Sequence, residues 1–173
     1  MIDYDDLTRS LGALTDGERD PIANAANAAA LIFRTIPELN WVGFYFLRDE
    51  QLVLGPFHGE PATTRIGAGR GVCGAAVAEV ATIVVDDVHA FAGHIACDSR
   101  SNSEIVVPLA ATHAGPARVA RLVGVLDIDS PRFARFADPL DRAGIEALAR
   151  RYVAACDWTL FPGTVVDGET TPA

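Results

Sequence analysis

An α+β fold, with a central antiparallel sheet flanked by helices, is what the order of periodicities along these 173 residues predicts. Apolar residues recur at helical spacing near the two ends, whereas runs dense in aromatic and β-branched residues fill the middle. Helices first and last around a strand-rich centre argue for an α+β sandwich. No internal repeat or linker divides the chain, so residues 1–162 are expected to form one domain and 163–173 a disordered tail.

The elements follow in order. A polar helix covers Tyr4–Leu14, and Asp20-Pro21 is a helix start signal, after which Ile22, Ala26, Ala29, Ile32, Phe33 and Ile36 recur until Pro37 ends the run. Residues 41–47, from Trp41 to Leu47, form a strand, and Arg48-Asp49-Glu50 separates them from a hairpin partner at 51–57. Shorter strands are predicted at 81–85, 105–109 and 122–128, the last two joined by an Ala-rich loop over 110–120 that carries His113, Gly115 and Pro116. Asp138-Pro139 then opens an amphipathic helix through Ile145, Leu148, Tyr152 and Cys156.

Composition excludes several classes of function. With 50% hydrophobic residues the chain can bury a full core without disulfides or structural metals. Its formal net charge of −9, with no Lys/Arg cluster, has the wrong sign for a surface that follows phosphates, so no nucleic-acid partner is expected. No apolar run is long enough for a membrane span and the acidic N-terminus is unlike a signal peptide, so a cytoplasmic location is expected. Three cysteines are an odd count for a disulfide framework and leave reactive, metal-binding or buried roles open.

Two of those cysteines stand outside the apolar periodic stretches. Cys73 lies in Gly69-Arg70-Gly71-Val72-Cys73-Gly74 and Cys97 in Gly93-His94-Ile95-Ala96-Cys97-Asp98, both beside glycines and charged or histidine residues, where thiols become thiolates. Cys156 falls in helical register with Leu148 and Tyr152 and is read as core. The stretch 85–103 is long, polar and aperiodic yet holds Phe91, Ile95 and Ala96, so it reads as a folded site loop. His89, His94 and Cys97 in that loop, with Asp98 or His58, fit no common zinc spacing, and Gly69-Arg70-Gly71 lacks the rest of a phosphate-binding loop. Neither a metal nor a cofactor is expected.

Five ordered blocks then carry a resemblance: Asn40 to Tyr45, Gly69 to Gly74, Asp87 to Asp98, Ser103 to Pro108 and Gly124 to Ser130. In order and spacing they closely resemble the signature blocks of the free methionine-(R)-sulfoxide reductases, which are GAF-domain enzymes. The resemblance covers residues 20–150 and implies a GAF fold, reduction of free rather than protein-bound methionine sulfoxide, and thioredoxin as electron donor; GAF domains also commonly form homodimers. Cys97 matches the family's catalytic position, Glu104, Asp127 and Asp129 its acidic pocket residues, and Trp41 and Tyr45 its aromatic ones.

The residue chemistry agrees. Reducing a sulfoxide without a cofactor needs a thiolate to attack sulfur, an acid to protonate the departing oxygen and a second thiol to clear the sulfenic acid. Converging carboxylates would select a free amino acid through its ammonium group. Asp127 and Asp129 flank Ile128 at strand spacing and so project from one face, and Glu104 could instead be the acid. Asp98 by itself raises the pKa of its neighbour Cys97, so activation must come from His94, loop amides or a helix start. In the family the resolving residue most often lies ten positions upstream of the glycine-flanked cysteine, which here is Thr63. Threonine cannot form a disulfide, and Cys73 is the expected substitute. A non-catalytic GAF-type module that binds a small amine stays open as the alternative.

Overall fold

The computed structural model describes residues 2–95, 98–112, 120–159 and 164–165. Its helices are α1 (Tyr4–Leu14), α2 (Pro21–Thr35), α3 (Gly71–Glu79) and α4 (Pro139–Ala155). Its strands are β1 (Trp41–Arg48), β2 (Gln51–His58), β3 (Arg65–Gly67), β4 (Ile83–Val85), β5 (Ser103–Thr112), β6 (Ala120–Ser130) and β7 (Thr164–Val165). The aspartates read as start signals cap their helices: Asp20 accepts from the amides of Ile22 and Ala23, and Asp138 from that of Leu140. Each is followed by proline, whose missing N–H costs nothing at a first helical position.

Every strand pairing is antiparallel, in the order β3-β2-β1-β6-β5-β4, with β7 on the start of β6. Asp49 and Glu50 both adopt positive φ, at 49° and 61°, the conformation whose twist suits a two-residue hairpin between β1 and β2. The register shift in that hairpin sets Gly55 and Pro56 against Phe44, and the bulge removes the need for an amide that Pro56 lacks.

Both faces of the sheet are covered, which is why residues 41–47 read as a continuous apolar run. One face carries Val42, Phe44, Phe46, Ile105, Val107, Leu126 and Ile128 against α1, α2 and α4. The alternate residues Trp41, Tyr45, Leu47, Val106 and Val125 face a smaller apolar cluster completed by α3, with Val72, Cys73 and Ala76. Cys156 belongs to the first cluster, its thiol donating to the Tyr152 carbonyl at 3.2 Å, as its helical register predicts.

Three sequence readings are corrected. Residues 71–79 form a helix and 65–67 a strand, neither of which was assigned from the sequence, because α3 is short and built largely of Gly, Ala and Val, which give no amphipathic period. The loop read over 110–120 is shorter, since Ala110, Ala111 and Thr112 extend β5 and Ala120 begins β6; residues 113–119 lie outside the described residues. Within the tail, Thr164 and Val165 pair with Leu122 and Arg121, and the remainder lies outside the described residues. Among the described residues no helix is long and apolar enough to cross a membrane.

Candidate active site

The acidic residues come together on the α3 side of the sheet. Antiparallel pairing sets Trp41 opposite Asp129 and Asp129 opposite Glu104, while Gly43 faces Asp127 and Asp127 faces Val106. Because side chains alternate along a strand, Asp127 and Asp129 share a face with Trp41 and Tyr45, and Ile128 between them enters the opposite core. Neither aspartate is a solvated strand end: Asp127 is 3% and Asp129 4% exposed, and Glu104 is 5%.

Trp41 and Tyr45 are fully buried, with ring centroids 6.0 Å apart, and Phe57 stacks on Trp41 at 5.5 Å. Their polar ends leave the apolar cluster in one direction. The Trp41 indole N–H donates to the carbonyl of Glu60 at 3.0 Å, and the Tyr45 hydroxyl to that of Thr63 at 3.0 Å. Thr63 therefore lies on the aromatic wall and is held through its backbone.

Three carboxyl groups this close in an apolar setting cannot all ionise cheaply. Burial drives Glu104, Asp127 and Asp129 well above the ordinary carboxylate range, and each is raised further by a neighbouring acid. Glu104 and Asp127 approach one another, and a hydrogen bond between them requires one to hold a proton; with both ionised neither can donate, and Asp127 Oδ1 has no hydrogen-bond partner among the described residues. His94 Nε2 lies 3.3 Å from Glu104 Oε2. Burial lowers the His94 pKa while it raises that of Glu104, so both favour their neutral forms and the contact is a hydrogen bond rather than an ion pair.

Cys73 joins this cluster from the first turn of α3. Its thiol donates to Asp127 Oδ2 at 3.3 Å, and its side chain is 4% exposed. The placement corrects the expectation of a thiolate there. A helix N-terminus contributes about 0.3–1 kcal/mol, under one pKa unit, whereas full burial shifts a group by several units. Burial and the charges of Asp127, Glu104 and Asp129 win, and the thiol is held well above its usual value. Gly71, at φ +60°, seats Ile95 of the site loop against the start of α3; a Cβ there would crowd the Ile95 side chain at 3.3 Å.

The site loop is folded on both sides of residues 96–97. Asp87 caps a 3-10 turn at Val88–Ala90, Val88 donates its amide to the Asn102 carbonyl, and Asn102 donates in turn to the Ser130 carbonyl at 2.8 Å. Arg100 grips Asp98 through Nε, at 3.1 Å from both carboxylate oxygens, and through Nη2 at 2.8 Å from Oδ2. Asn40 Nδ2 donates to Asp98 Oδ2 and to Ser101 Oγ. These bonds hold the Asp98 carboxyl far below the usual carboxylate range. Asp98 is thus a fixed negative charge already matched by Arg100, which reduces its penalty on an adjacent thiolate. Cys97 itself lies outside the described residues. The roles of Asn40 and Arg100 escaped sequence reading, although the Asp-x-Arg spacing at 98–100 was the available signal.

Volume does not mark this site. A groove of about 770 Å³ beside Tyr4, Arg135 and Leu140 shares no lining residue with the carboxyl cluster.

No family model matches the chain. Whole-chain comparisons are specific. Free methionine-R-sulfoxide reductase of Escherichia coli K12 is 46% identical over 165 residues, 94% of this chain and 95% of that protein. The structure of free methionine-R-sulfoxide reductase from Neisseria meningitidis in complex with its substrate superposes with a TM-score of 0.78 at 42% identity, covering 88% of this chain and 87% of that one. A GAF-domain structure superposes with a TM-score of 0.81 at 35% identity, over 89% and 87% of the two chains. The antiparallel sheet and its flanking helices thus define a GAF-domain protein. Within that class the chain belongs to the free methionine-R-sulfoxide reductase family.

The raised carboxyl groups set the pH dependence of stability. Glu104, Asp127 and Asp129 keep protons in the folded chain at pH values where the unfolded chain, with carboxylates near about 4, has released them. Their stabilising contribution is complete below that value and is lost as pH rises through the folded-state values. His94, with a lowered pKa, works in the opposite sense, one group against three. The substrate-free chain should therefore melt at a higher temperature at pH 5 than at pH 8, and Asp127→Asn combined with Asp129→Asn should narrow the difference. Identical pH slopes for parent and variant in calorimetry would place these carboxyls in solvent.

Proposed function

We propose that this protein reduces free methionine-R-sulfoxide to methionine, with Cys97 as nucleophile, Asp127 and Asp129 as the seat of the substrate's ammonium group, and Glu104 beside them as the acid. The observation that carries this reading is the convergence of three buried carboxyls beside the Trp41 and Tyr45 rings in a chain of this family. Protonated in isolation, the carboxyls gain a partner when an ammonium enters: it compensates their charge as they ionise and donates charge-assisted hydrogen bonds to their oxygens. A peptide-linked methionine sulfoxide brings an amide in place of that cation and leaves the acids unmatched. The aromatic wall suits the S-methyl end.

The chemistry balances with residues of the chain. The Cys97 thiolate attacks the sulfoxide sulfur while the carboxyl of Glu104, neutral because it is buried, supplies a proton to the oxygen. Oxygen leaves the substrate on the Cys97 sulfur: the sulfoxide gains two electrons and the thiol becomes a sulfenic acid. The Cys73 thiol then attacks that sulfenic acid, water leaves and a Cys73–Cys97 disulfide forms. Asp127, to which the Cys73 thiol already donates, relays that proton to the departing hydroxyl, which leaves as water. Thioredoxin, a dithiol, reduces the disulfide by exchange and is itself oxidised. A homodimer is compatible with this scheme, and no step requires one.

Cys97→Ser should abolish turnover of the free R epimer with the fold retained, because an alcohol is too weak a nucleophile for the sulfoxide. Assay of both free epimers and of a peptide containing methionine sulfoxide checks activity and selectivity together; binding without turnover by the parent would favour the sensor alternative.

Asp127→Asn with Asp129→Asn should raise KM for the free substrate by at least tenfold, since each charged hydrogen bond lost is worth about 1.5–3 kcal/mol. An unchanged KM would remove the ammonium from this cluster.

Stoichiometric oxidation by substrate, followed by mass spectrometry of unreduced peptides, should reveal a Cys73–Cys97 link. Cys73→Ser should slow thioredoxin-driven turnover more than dithiothreitol-driven turnover. A stable sulfenic acid at Cys97 in the parent, or a link to Cys156, would take the resolving role from Cys73.

A further inference from the structure

Cys73, Glu104 and Asp127 each offer a ligand atom, and these three atoms lie within 4.8 Å of one another, all buried. Two further observations point to a missing positive charge. Asp127 Oδ1, on a residue only 3% exposed, has no hydrogen-bond partner among the described residues. Glu104 is itself held in place by His94, whose Nε2 lies 3.3 Å from Oε2, as ligating carboxylates are held by a hydrogen bond from behind. We propose that Cys73, Glu104 and Asp127 form a binding site for a thiophilic divalent cation of the zinc class, which excludes the substrate's ammonium from the same carboxyls.

Geometry and ligand type select the cation. Tetrahedral zinc, with Zn–S near about 2.3 Å and Zn–O near about 2.0–2.2 Å, sets its ligand atoms roughly 3.3–3.8 Å apart. The Cys73 Sγ to Asp127 Oδ2 distance of 3.3 Å is such an edge. Magnesium and calcium call for all-oxygen shells, whereas one thiolate with two carboxylates suits zinc, cobalt or cadmium. Three protein ligands leave a fourth position for water or for His94. On binding, the Cys73 S–H gives its proton to solvent as the sulfur–metal bond forms, and any proton held by Glu104 or Asp127 leaves likewise. The bound cation would also withhold the Cys73 thiol from any disulfide. Inhibition by competition rests on the substrate reading above, whereas the metal site rests on side-chain placement alone.

Cobalt(II) tests it, because cobalt bound to a thiolate shows a sulfur-to-metal charge-transfer band in the near ultraviolet. The reduced, metal-free full chain, titrated with cobalt(II), should bind one equivalent with that band, and zinc(II) should displace it. The chain has three cysteines, so Cys97→Ser with Cys156→Ser leaves Cys73 alone, and the band should persist there. Cys73→Ser should lose the band, and Asp127→Asn should weaken cobalt binding at least tenfold. No band in the double variant, or a band retained in Cys73→Ser, overturns the site; the double variant decides even should Cys73→Ser fail to fold. In that double variant, which cannot turn the substrate over, free methionine sulfoxide should raise the apparent cobalt Kd. A cobalt band indifferent to substrate would leave the metal site standing and remove the substrate from the carboxyl cluster, so the two failures are distinguishable.

Discussion

Three carboxyl groups held out of water by an aromatic and aliphatic cluster are the constraint around which the α3 side of this protein is organised. The sheet tolerates them because its other face, packed by α1, α2 and α4, holds most of the apolar core. A core Leu or Phe contributes about 1.5–3 kcal/mol by burial, and that face contains many. The site side carries the buried carboxyls, which destabilise the fold when they ionise. The arrangement divides labour between two faces of one strand pair: Ile128 supports the fold and its neighbours Asp127 and Asp129 burden it. Activity and stability are in tension here, as they are wherever a site is complementary to a charge it must wait for.

Cys73 and Asp98 show how environment overrides sequence neighbourhood. Cys73 has glycines beside it and sits in the first turn of a helix, features that lower a thiol pKa, yet burial against acids raises it. Asp98 stands beside a cysteine it should inhibit, yet Arg100 and Asn40 lock it as a compensated ion. For Cys73 the acidic partner comes from elsewhere in the chain, whereas Asp98 is held first by the nearby Arg100 and then by the distant Asn40. Asp127 lies 54 residues from Cys73 and Asn40 58 from Asp98.

That separation explains what the sequence revealed. Helix starts at Asp20-Pro21 and Asp138-Pro139 were legible because capping is local, and the one-sided projection of Asp127 and Asp129 because strand periodicity is local. The pairing of Glu104 with Asp129, and the approach of Cys73 to Asp127, depend on the order in which strands meet, which no short window encodes. α3 stayed hidden because its small residues, Gly71, Gly74, Ala75 and Ala76 among them, give no amphipathic stripe. The resemblance of ordered blocks supplied what periodicity could not, since a family preserves the partners that a fold brings together.

The hydrogen bonds from Trp41 and Tyr45 to the carbonyls of Glu60 and Thr63 have a consequence for how this family can vary. Both fasten the segment after β2 by its main chain. A carbonyl is common to every amino acid, so these anchors are blind to the side chain at position 63. Exchange of a cysteine for a threonine there leaves the anchoring intact and alters only the redox inventory. The protein can thus drift between recycling chemistries at that position while its aromatic wall and the loop it tethers stay where they are.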